Sequence, residues 1–464
     1  MKKKPRALEG LKIGNSDYPL EDTAPLSGPL QGMKICVVGA GFVGTVAAAG
    51  FARFGHQVVC VEKDQNRLSL LRSGQLPYFE RDLEELVRRE LASGRLVFDS
   101  DLEKSVEGKK AVFLTVGTPS SSGGRADLSA LQEVISALSR KMKSGQILVL
   151  KSTVPVGTAE IIKKYFSQNG KRSEIEVINN PEFLREGNAV FDFFNPPRIV
   201  IGGNSGEAIE TISHIYKMGM TKSVPIYTTD NRTAEMIKYA SNVFLATKVG
   251  FVNELARLCD SVGVNALEVA RAIGADPRIG HQFLEPGPGW GGSCLPKDLQ
   301  EFIGLADSLG VSLFIPRAVS EANLYQFEHI YLKVKNLVEN IAGARIGVLG
   351  LTFKANTSDL RQSPAIPIIT KLLDNGAEVT AYDPAADDEA KSLLPDIIRV
   401  DDPYKTAEGA DCMLILTEWS DFQLLDWNRI SEIMKSKNIV DARNILPPEL
   451  LKRYGFNYAS IGQN

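Results

Sequence analysis

The stretch Lys34-Ile35-Cys36-Val37-Val38-Gly39-Ala40-Gly41-Phe42-Val43-Gly44 decides the fold. Its first half is a continuous apolar run, the pattern of a parallel strand covered on both faces. Its second half is a Gly-x-Gly-x-x-Gly turn that leads into small residues at helical spacing, Thr45 to Phe54. In such a turn Gly39 permits the tight bend, Gly41 lets a pyrophosphate reach the backbone and Gly44 lets the helix lie close on the sheet. The helix N-terminus adds partial positive charge. A second strand run, QVVCVE at 57–62, ends on Glu62, 18 residues beyond Gly44. A carboxylate there accepts hydrogen bonds from ribose hydroxyls and repels a 2′-phosphate, which favours NAD over NADP. Lys63 and Arg67 beside it pull the other way. The alternative is a tight strand–helix turn with no ligand.

Working outward, AVFLTV (111–116) and QILVLKSTV (146–154) are further buried-strand candidates, each with a helical pattern before it. Strands alternating with helices predict a doubly wound parallel sheet. From Asn231 to about Ala275 the chain is rich in Ala, Glu, Leu and Lys at helical spacing and has no Pro. That predicts long helices, interrupted by a Gly/Pro-rich segment (285–292) and resuming to about Ile341. The strand pattern then restarts. ARIGVLGL (344–351), EVTAYDP (378–384), DCMLILTEW (411–419) and NIVDARN (438–444) repeat the four earlier runs in order. We therefore expect an α/β protein with two Rossmann-like doubly wound parallel-sheet domains joined by a long-helix middle domain. The boundaries are a loosely ordered extension (1–32), a dinucleotide-binding domain (33–230), a helical domain (231–340) and a second α/β domain (341–464). Only Gly347 and Gly350 occupy the second turn, so it is not expected to hold a dinucleotide in the same manner. Each sheet offers a ligand crevice at the carboxyl ends of its strands, which implies one ligand per sheet.

The chain has 464 residues, and its 53 Lys+Arg against 56 Asp+Glu leave a net charge of -3. Such a balance argues against nucleic acid or an anionic membrane as partner. No apolar run approaches the roughly 18 residues of a membrane span. The basic start is followed by Glu9, Lys12 and Asp17 rather than by an apolar segment, so it does not read as a secretory signal. Five cysteines without a CxxC pair do not resemble an extracellular disulfide framework, and four scattered histidines give no metal-ligand spacing. The expectation is a soluble cytoplasmic enzyme without a metal.

Cys36, Cys60 and Cys412 sit within strand runs and Cys259 on a helix, all read as small buried hydrophobes. Cys294 differs. It lies in Gly287-Pro288-Gly289-Trp290-Gly291-Gly292-Ser293-Cys294-Leu295-Pro296-Lys297-Asp298. Pro296 is placed to open a helix, which would put Cys294 at its N-terminus, and Lys297 is close by. Both favour the thiolate. Asp298, one helical turn on, could orient a water or take a proton. A structural Gly/Pro turn with an incidental cysteine fits the composition equally well. Lys238 and Asn242, spaced i,i+4 on the first long helix, either aim an ammonium and an amide at one oxyanion or line a solvated face. Glu182 and Glu186 share the same spacing, and they could equally mark a surface helix start.

Six segments now stand in one order: GAGFVG, KSTVPVGT, NPEFLREG, the Lys238/Asn242 helix, GWGGSCLPKD and LTFKANTSDLRQSPA. Together they resemble the UDP-glucose/GDP-mannose dehydrogenase family, from Met33 to about Tyr458. The resemblance implies an NAD-dependent, four-electron oxidation of a sugar-nucleotide CH2OH to a carboxylate, with UDP-glucose as first-choice substrate. GDP-mannose, dTDP-glucose and UDP-N-acetylhexosamines are the alternatives. It implies that Cys294 captures the aldehyde as a thiohemiacetal, which becomes a thioester. Lys238 and Asn242 would hold the oxyanion, and Asp298, Thr153 and Glu182 would manage the proton and the water.

The same resemblance implies residues for each ligand. For NAD these are Gly39, Gly41, Phe42, Val43, Gly44, Glu62 and Arg67 at the first turn, and Val116, Gly117, Thr118 and Pro119 after the next strand. Ser152, Thr153, Glu186, Lys297 and Arg361 complete that set. For the sugar nucleotide they are Glu182, Phe183, Leu184, Arg185, Glu186, Lys238 and Asn242. Phe283, Leu284, Gly289, Trp290, Gly291, Phe353, Lys354 and Arg443 complete it, with Arg278 reaching in from a neighbouring subunit. The implied assembly is a homodimer, or a higher homo-oligomer, through the central helices. The chain departs from the family pattern at Glu62, usually Asp, at Trp290, often Phe or Tyr, and in residues 1–32.

Two other readings compete. A two-electron hydroxyacid-type dehydrogenase would need neither Cys294 nor the second α/β half. A non-catalytic nucleotide-sugar sensor would need neither the thiol nor its neighbours.

Overall fold

The computed structural model describes residues 32–121, 124–168, 175–220, 222–386 and 389–463. All of the 1–32 extension except Gly32 lies outside the described residues. The chain divides into two compact units, one ending at Ser241 and the other running on from Asn242.

The first unit holds an eight-stranded sheet. Its strands are β1 (Lys34–Val38), β2 (Gln57–Val61), β3 (Leu96–Asp99), β4 (Ala111–Leu114), β5 (Ile147–Leu150), β6 (Glu176–Asn179), β7 (Ile199–Gly202) and β8 (Ile226–Thr229), in the order β3-β2-β1-β4-β5-β6-β7-β8. The strand order reverses at β1, between β2 and β4, which is where such sheets bind ligands. Side chains alternate between two cores. Ile35 and Val37 join one cluster with Phe51 and Phe113, while Cys36 and Val38 join the other with Leu148 and Val177. Burial on both faces explains the unbroken apolar runs.

The two Rossmann-like sheets are present as expected, with one local detail added: β6 and β7 pair antiparallel, through Asn179 and Gly202. The strands from β6 onward, together with β3, also escaped the sequence reading. They are four residues each, like β4 and β5, but β3, β6 and β8 carry polar residues at Asp99, Glu176, Asn179, Thr228 and Thr229, which breaks the apolar run that marked the others.

The long helix spans Asn231–Val262, 32 residues. Asn231 fixes its start, donating to Val177 O at 3.0 Å and accepting from Asn179 N at 2.8 Å.

The second unit carries helices Ala266–Gly274, Leu295–Ser308 and Phe314–Val338 and a six-stranded parallel sheet. Its strands are β9 (Arg345–Leu349), β10 (Glu378–Tyr382), β11 (Ile398–Arg399), β12 (Cys412–Ile415), β13 (Asn438–Asp441) and β14 (Asn457–Ser460), ordered β11-β10-β9-β12-β13-β14. The repeated order of strands found in the sequence is thus a repeated architecture. Here too alternate residues serve two cores, with Cys412 and Leu414 on one side and Met413 and Ile415 on the other.

Candidate active site

At the end of β1 each glycine has its own steric reason. Gly39 has φ +99°, a left-handed conformation that strains other residues. A Cβ on Gly44 would fall 1.8 Å from Gly39 O, so only glycine lets the helix Phe42–Arg53 approach that closely. A Cβ on Gly41 would meet nothing within 4 Å. Gly41 caps this helix with no side-chain hydrogen bond, and Phe42 and Val43 open its first turn, whose N–H groups lack intrahelical partners. An open approach to free N–H groups suits a pyrophosphate. Tyr78 closes one side, with its hydroxyl donating to Gly41 O at 3.3 Å and its ring 6.0 Å from Phe42.

Glu62, just past β2, is buried. Its Oε1 accepts from Asp64 N at 2.9 Å and its Oε2 from Arg67 at 3.2 Å. Arg67 therefore partners the carboxylate rather than countering it from a distance. Lys63 turns to Glu133 at 3.0 Å.

The ends of β4 and β5 are tied together. Ser152 Oγ donates to Val116 O at 2.7 Å, and Thr118 Oγ1 donates to Thr153 O at 2.8 Å, with Gly117 and Pro119 on either side of Thr118. Glu235, from the long helix, accepts from Gly157 N at 2.6 Å and Ala159 N at 2.9 Å. Burial pushes the Glu235 carboxyl up to about 7, against the pull of those two N–H groups.

After β6 the segment 181–185 forms no helix; the next one begins at Ala189. Glu182 and Glu186 are therefore not neighbours on a helix face, and their spacing in the sequence carried no geometric meaning. Pro181 and Gly187 bracket the segment, Gly187 at φ +76°. Glu182 Oε1 accepts from Lys238 Nζ at 3.0 Å and its Oε2 from Leu184 N at 2.6 Å. Phe183 lies beneath two cations, Lys238 at 5.3 Å and Arg198 at 4.2 Å from the ring centre. Arg185 is turned outward and held by Asp192 in a bidentate pair, which raises its pKa. Buried Glu80 accepts from Gly187 N at 2.6 Å and Ala189 N at 2.8 Å, and so fixes the segment's end just beyond Glu186.

In the second unit, Cys294 is the N-cap of helix Leu295–Ser308. Pro296 is the second helical residue, one later than expected, because Leu295 opens the helix. The other four cysteines are buried and Cys294 is half-exposed. Burial raises the thiols of Cys36 and Cys412 to about 12. Ser293 Oγ lies 3.6 Å from the Cys294 sulfur. Fully buried Asp298 accepts from Asn242 Nδ2 at 2.5 Å and from Lys297 Nζ at 2.6 Å.

Three uncharged side chains hold the preceding loop. Asn253 accepts from Gly287 N at 2.9 Å, and Gln326 donates to Gly287 O at 2.7 Å. Asn323 bonds both N and O of Trp290, at 2.9 and 3.0 Å. Gly289 has φ +119°, and a Cβ on Gly291 would lie 2.0 Å from Gln362 O. Phe283 has φ +63°, with Leu284 buried beside it. Sequence reasoning missed these amides, along with Glu80 and Glu235. The only signal was a polar residue on an otherwise apolar helix face, as with Asn323 and Gln326 between Val319 and Ile330.

Arg443 donates to Leu416 O and Phe353 O, each at 2.9 Å. Lys354 stands 5.3 Å from the Phe353 ring centre. Arg278 and Arg361 are exposed, each paired with the aspartate two residues before it, Asp276 and Asp359. In the second Gly turn, Asp383 accepts five hydrogen bonds, from Leu351 N, Thr352 N, Thr352 Oγ1, Ala385 N and Ala386 N. The acid at the end of β10 is thus occupied by four backbone N–H groups and one hydroxyl, and a Cβ on Gly350 would lie 2.4 Å from Thr417 Cβ.

Sequence models of one family match all three parts of the chain. Its NAD binding domain matches residues 33–219, its central domain 232–325 and its UDP binding domain 347–448. The chain belongs to the UDP-glucose/GDP-mannose dehydrogenase family. It is an NAD-dependent oxidoreductase, as that membership implies and as the first glycine turn accommodates. A UDP-glucose 6-dehydrogenase of Rhizobium meliloti (strain 1021) is 43% identical over 435 residues, covering 93% of this chain and all of the relative. One from Pseudomonas aeruginosa is 39% identical, covering 93% and 98%. Among solved structures, a UDP-glucose dehydrogenase of Pyrobaculum islandicum superposes with a TM-score of 0.87 at 35% identity, covering 96% of this chain and all of that one. A UDP-D-ManNAc dehydrogenase of Pyrococcus horikoshii gives 0.82 at 28% identity, covering 93% and 99%.

Proposed function

We propose that this family member oxidises the C6 hydroxymethyl of UDP-glucose to the carboxylate of UDP-glucuronate, removing four electrons. The observation that carries the thiol chemistry is Cys294, the half-exposed cysteine of five, which caps a helix N-terminus one turn from buried Asp298. The two relatives named UDP-glucose 6-dehydrogenase support the choice of hexose.

NAD, when bound, would supply a hydride acceptor, and two NAD molecules bound in succession would each take one hydride. Every other part belongs to the chain. Glu182, working with Thr153 and a water, takes the C6 hydroxyl proton in the first oxidation. The Cys294 thiolate then adds to the aldehyde carbon, forming a C–S bond and an alkoxide. Lys238 and Asn242, on successive turns of one helix, donate to that oxygen. The adduct gives the same carbon a second hydride to lose, leaving a thioester. Asp298 and Glu182 orient the water that cleaves it and accept its proton, which releases the acid and restores the thiol.

In this reading NAD contacts come from Gly39, Gly41, Phe42, Val43, Gly44, Glu62, Thr118, Ser152 and Thr153. The sugar nucleotide is held by Phe183, Leu184, Phe353, Lys354, Arg443 and the Trp290 loop. The domain limits 33–230, 231–340 and 341–464 and a cytoplasmic location belong to the same proposal. So does a homodimer. Phe244, Phe251 and Leu258 recur every seven residues on the long helix and are 64%, 52% and 61% exposed. An apolar stripe of that size on a helix is a mark of an interface.

A panel of UDP-glucose, GDP-mannose, dTDP-glucose and UDP-N-acetylhexosamines with NAD tests the reading. Two NADH per UDP-glucose are expected, with no free aldehyde accumulating. One NADH per sugar, or turnover confined to another nucleotide sugar, overturns it.

A further inference from the structure

We infer that Glu235 is a positioning residue whose carboxylate clamps the end of the 151–157 loop and so sets Ser152 and Thr153 against the helix turn that carries Lys238. The inference rests on the reading of Thr153, Thr118 and Lys238 as parts of the NAD and catalytic apparatus.

The loop is held at two ends. At its start, Lys151 N and Ser152 N both donate to Leu114 O at 2.9 Å. Ser152 Oγ and Thr118 Oγ1 then lock it to the end of β4, at 2.7 and 2.8 Å. At its far end the chain turns through Gly157, φ +96°, into helix Thr158–Gln168. Thr158 Oγ1 braces the turn on Pro155 O at 2.6 Å, and Glu235 ties it to the long helix, with one oxygen on Gly157 N and the other on Ala159 N. It is 2% exposed and lies three residues before Lys238 on the same helix. The clamp therefore couples loop and lysine through one rigid element.

An ionised carboxylate accepts strongly from both N–H groups, one on each oxygen. Once protonated, one of its oxygens becomes a hydroxyl, a far weaker acceptor, and the bond to one N–H is weakened. The charged groups facing it are Glu160, from helix Thr158–Gln168, and Arg232, from its own helix. They pair with each other at 2.6 Å and largely offset one another. Burial, opposed by the two N–H groups, pushes the Glu235 carboxyl up to about 7. The clamp thus changes state within the ordinary working range of pH.

The test is NADH binding, followed by fluorescence from pH 5.5 to 8.5, with Cys294→Ala in every protein so that the thiol does not titrate. With Glu235 present, NADH should bind roughly tenfold more weakly at the acid end, with a midpoint near 7. Glu235→Gln offers one fixed acceptor at every pH, so its affinity should be flat and close to the acid-end value. Glu235→Asp, which still titrates, should keep a pH dependence and controls for folding if the Gln variant is unstable. Identical pH profiles for Glu235 and Glu235→Gln overturn the inference while leaving the proposed reaction intact. Failure of the parent to bind NADH overturns both.

Discussion

The Lys238 ammonium donates to Glu182 Oε1 at 3.0 Å, and both groups are buried, at 3% and 7% exposure. Each is the other's charge partner, so neither can be removed without consequence for the fold. Lys238→Ala should lower kcat by about 10²–10³, the usual cost of losing an oxyanion donor. It should also destabilise the protein by about 3–5 kcal/mol, because a buried carboxylate loses its ion pair. Thermal melts beside steady-state kinetics separate the two. Intact stability with lost turnover would mean that Glu182 finds another partner.

The cysteines should differ sharply in reactivity. Iodoacetamide at pH 8 should modify Cys294 before Cys36, Cys60, Cys259 or Cys412, because those four are buried and the thiols of Cys36 and Cys412 are raised to about 12. Peptide mapping by mass spectrometry reads the order. Protection by UDP-glucose is expected, and Cys294→Ala should make no acid. Acid formation at the normal rate by that variant contradicts the covalent route.

Gly44→Ala places a methyl 1.8 Å from a backbone oxygen, and neither the helix nor the strand can yield cheaply. A loss of about 1–3 kcal/mol and of most NAD binding is expected. Gly41→Ala meets open space, so it should leave the melting temperature unchanged while raising KM for NAD. Equal effects on stability from the two variants would contradict the assigned roles.

Stability should depend on pH through Glu235. Its carboxyl is raised from 4.5 to about 7, so its contribution is fully present below pH 4.5 and is lost as pH climbs through 7. The displacement corresponds to about 3 kcal/mol at most. Glu235→Gln never ionises. The melting temperature of the variant minus that of the parent should therefore increase between pH 5.5 and 8.5. A constant difference would place the ionisation elsewhere.

Phe251→Asp puts a charge in the middle of the exposed apolar stripe. Sedimentation should show a dimer for the parent and a monomer for the variant at micromolar concentration. A parent that sediments as a monomer removes the basis for the interface.

Much of this was legible in the sequence because it depends on patterns that leave local marks. The glycine turn left such a mark: Gly39 stands at φ +99° and Gly44 lies against Gly39 O, five residues back, while Gly41 faces open space. The eight strands with long apolar runs were likewise visible. The Cys294 loop announced itself through Gly and Pro. What stayed hidden depends on contacts distant in sequence. Glu80 meets Gly187, Glu235 meets Gly157, and Asn253 meets Gly287. A lone polar residue on a helix gives no sign of which loop it will hold. Glu182 and Glu186 misled for the opposite reason, because i,i+4 spacing has meaning only where a helix forms.

Asn253, Asn323 and Gln326 carry a consequence for how this enzyme should respond to its surroundings. The loop that leads into Cys294 is held by amides, which neither gain nor lose protons and are indifferent to ionic strength. Acidification or added salt should therefore leave the shape of that loop alone, and any drift in rate with solvent conditions must originate in ionisable groups elsewhere.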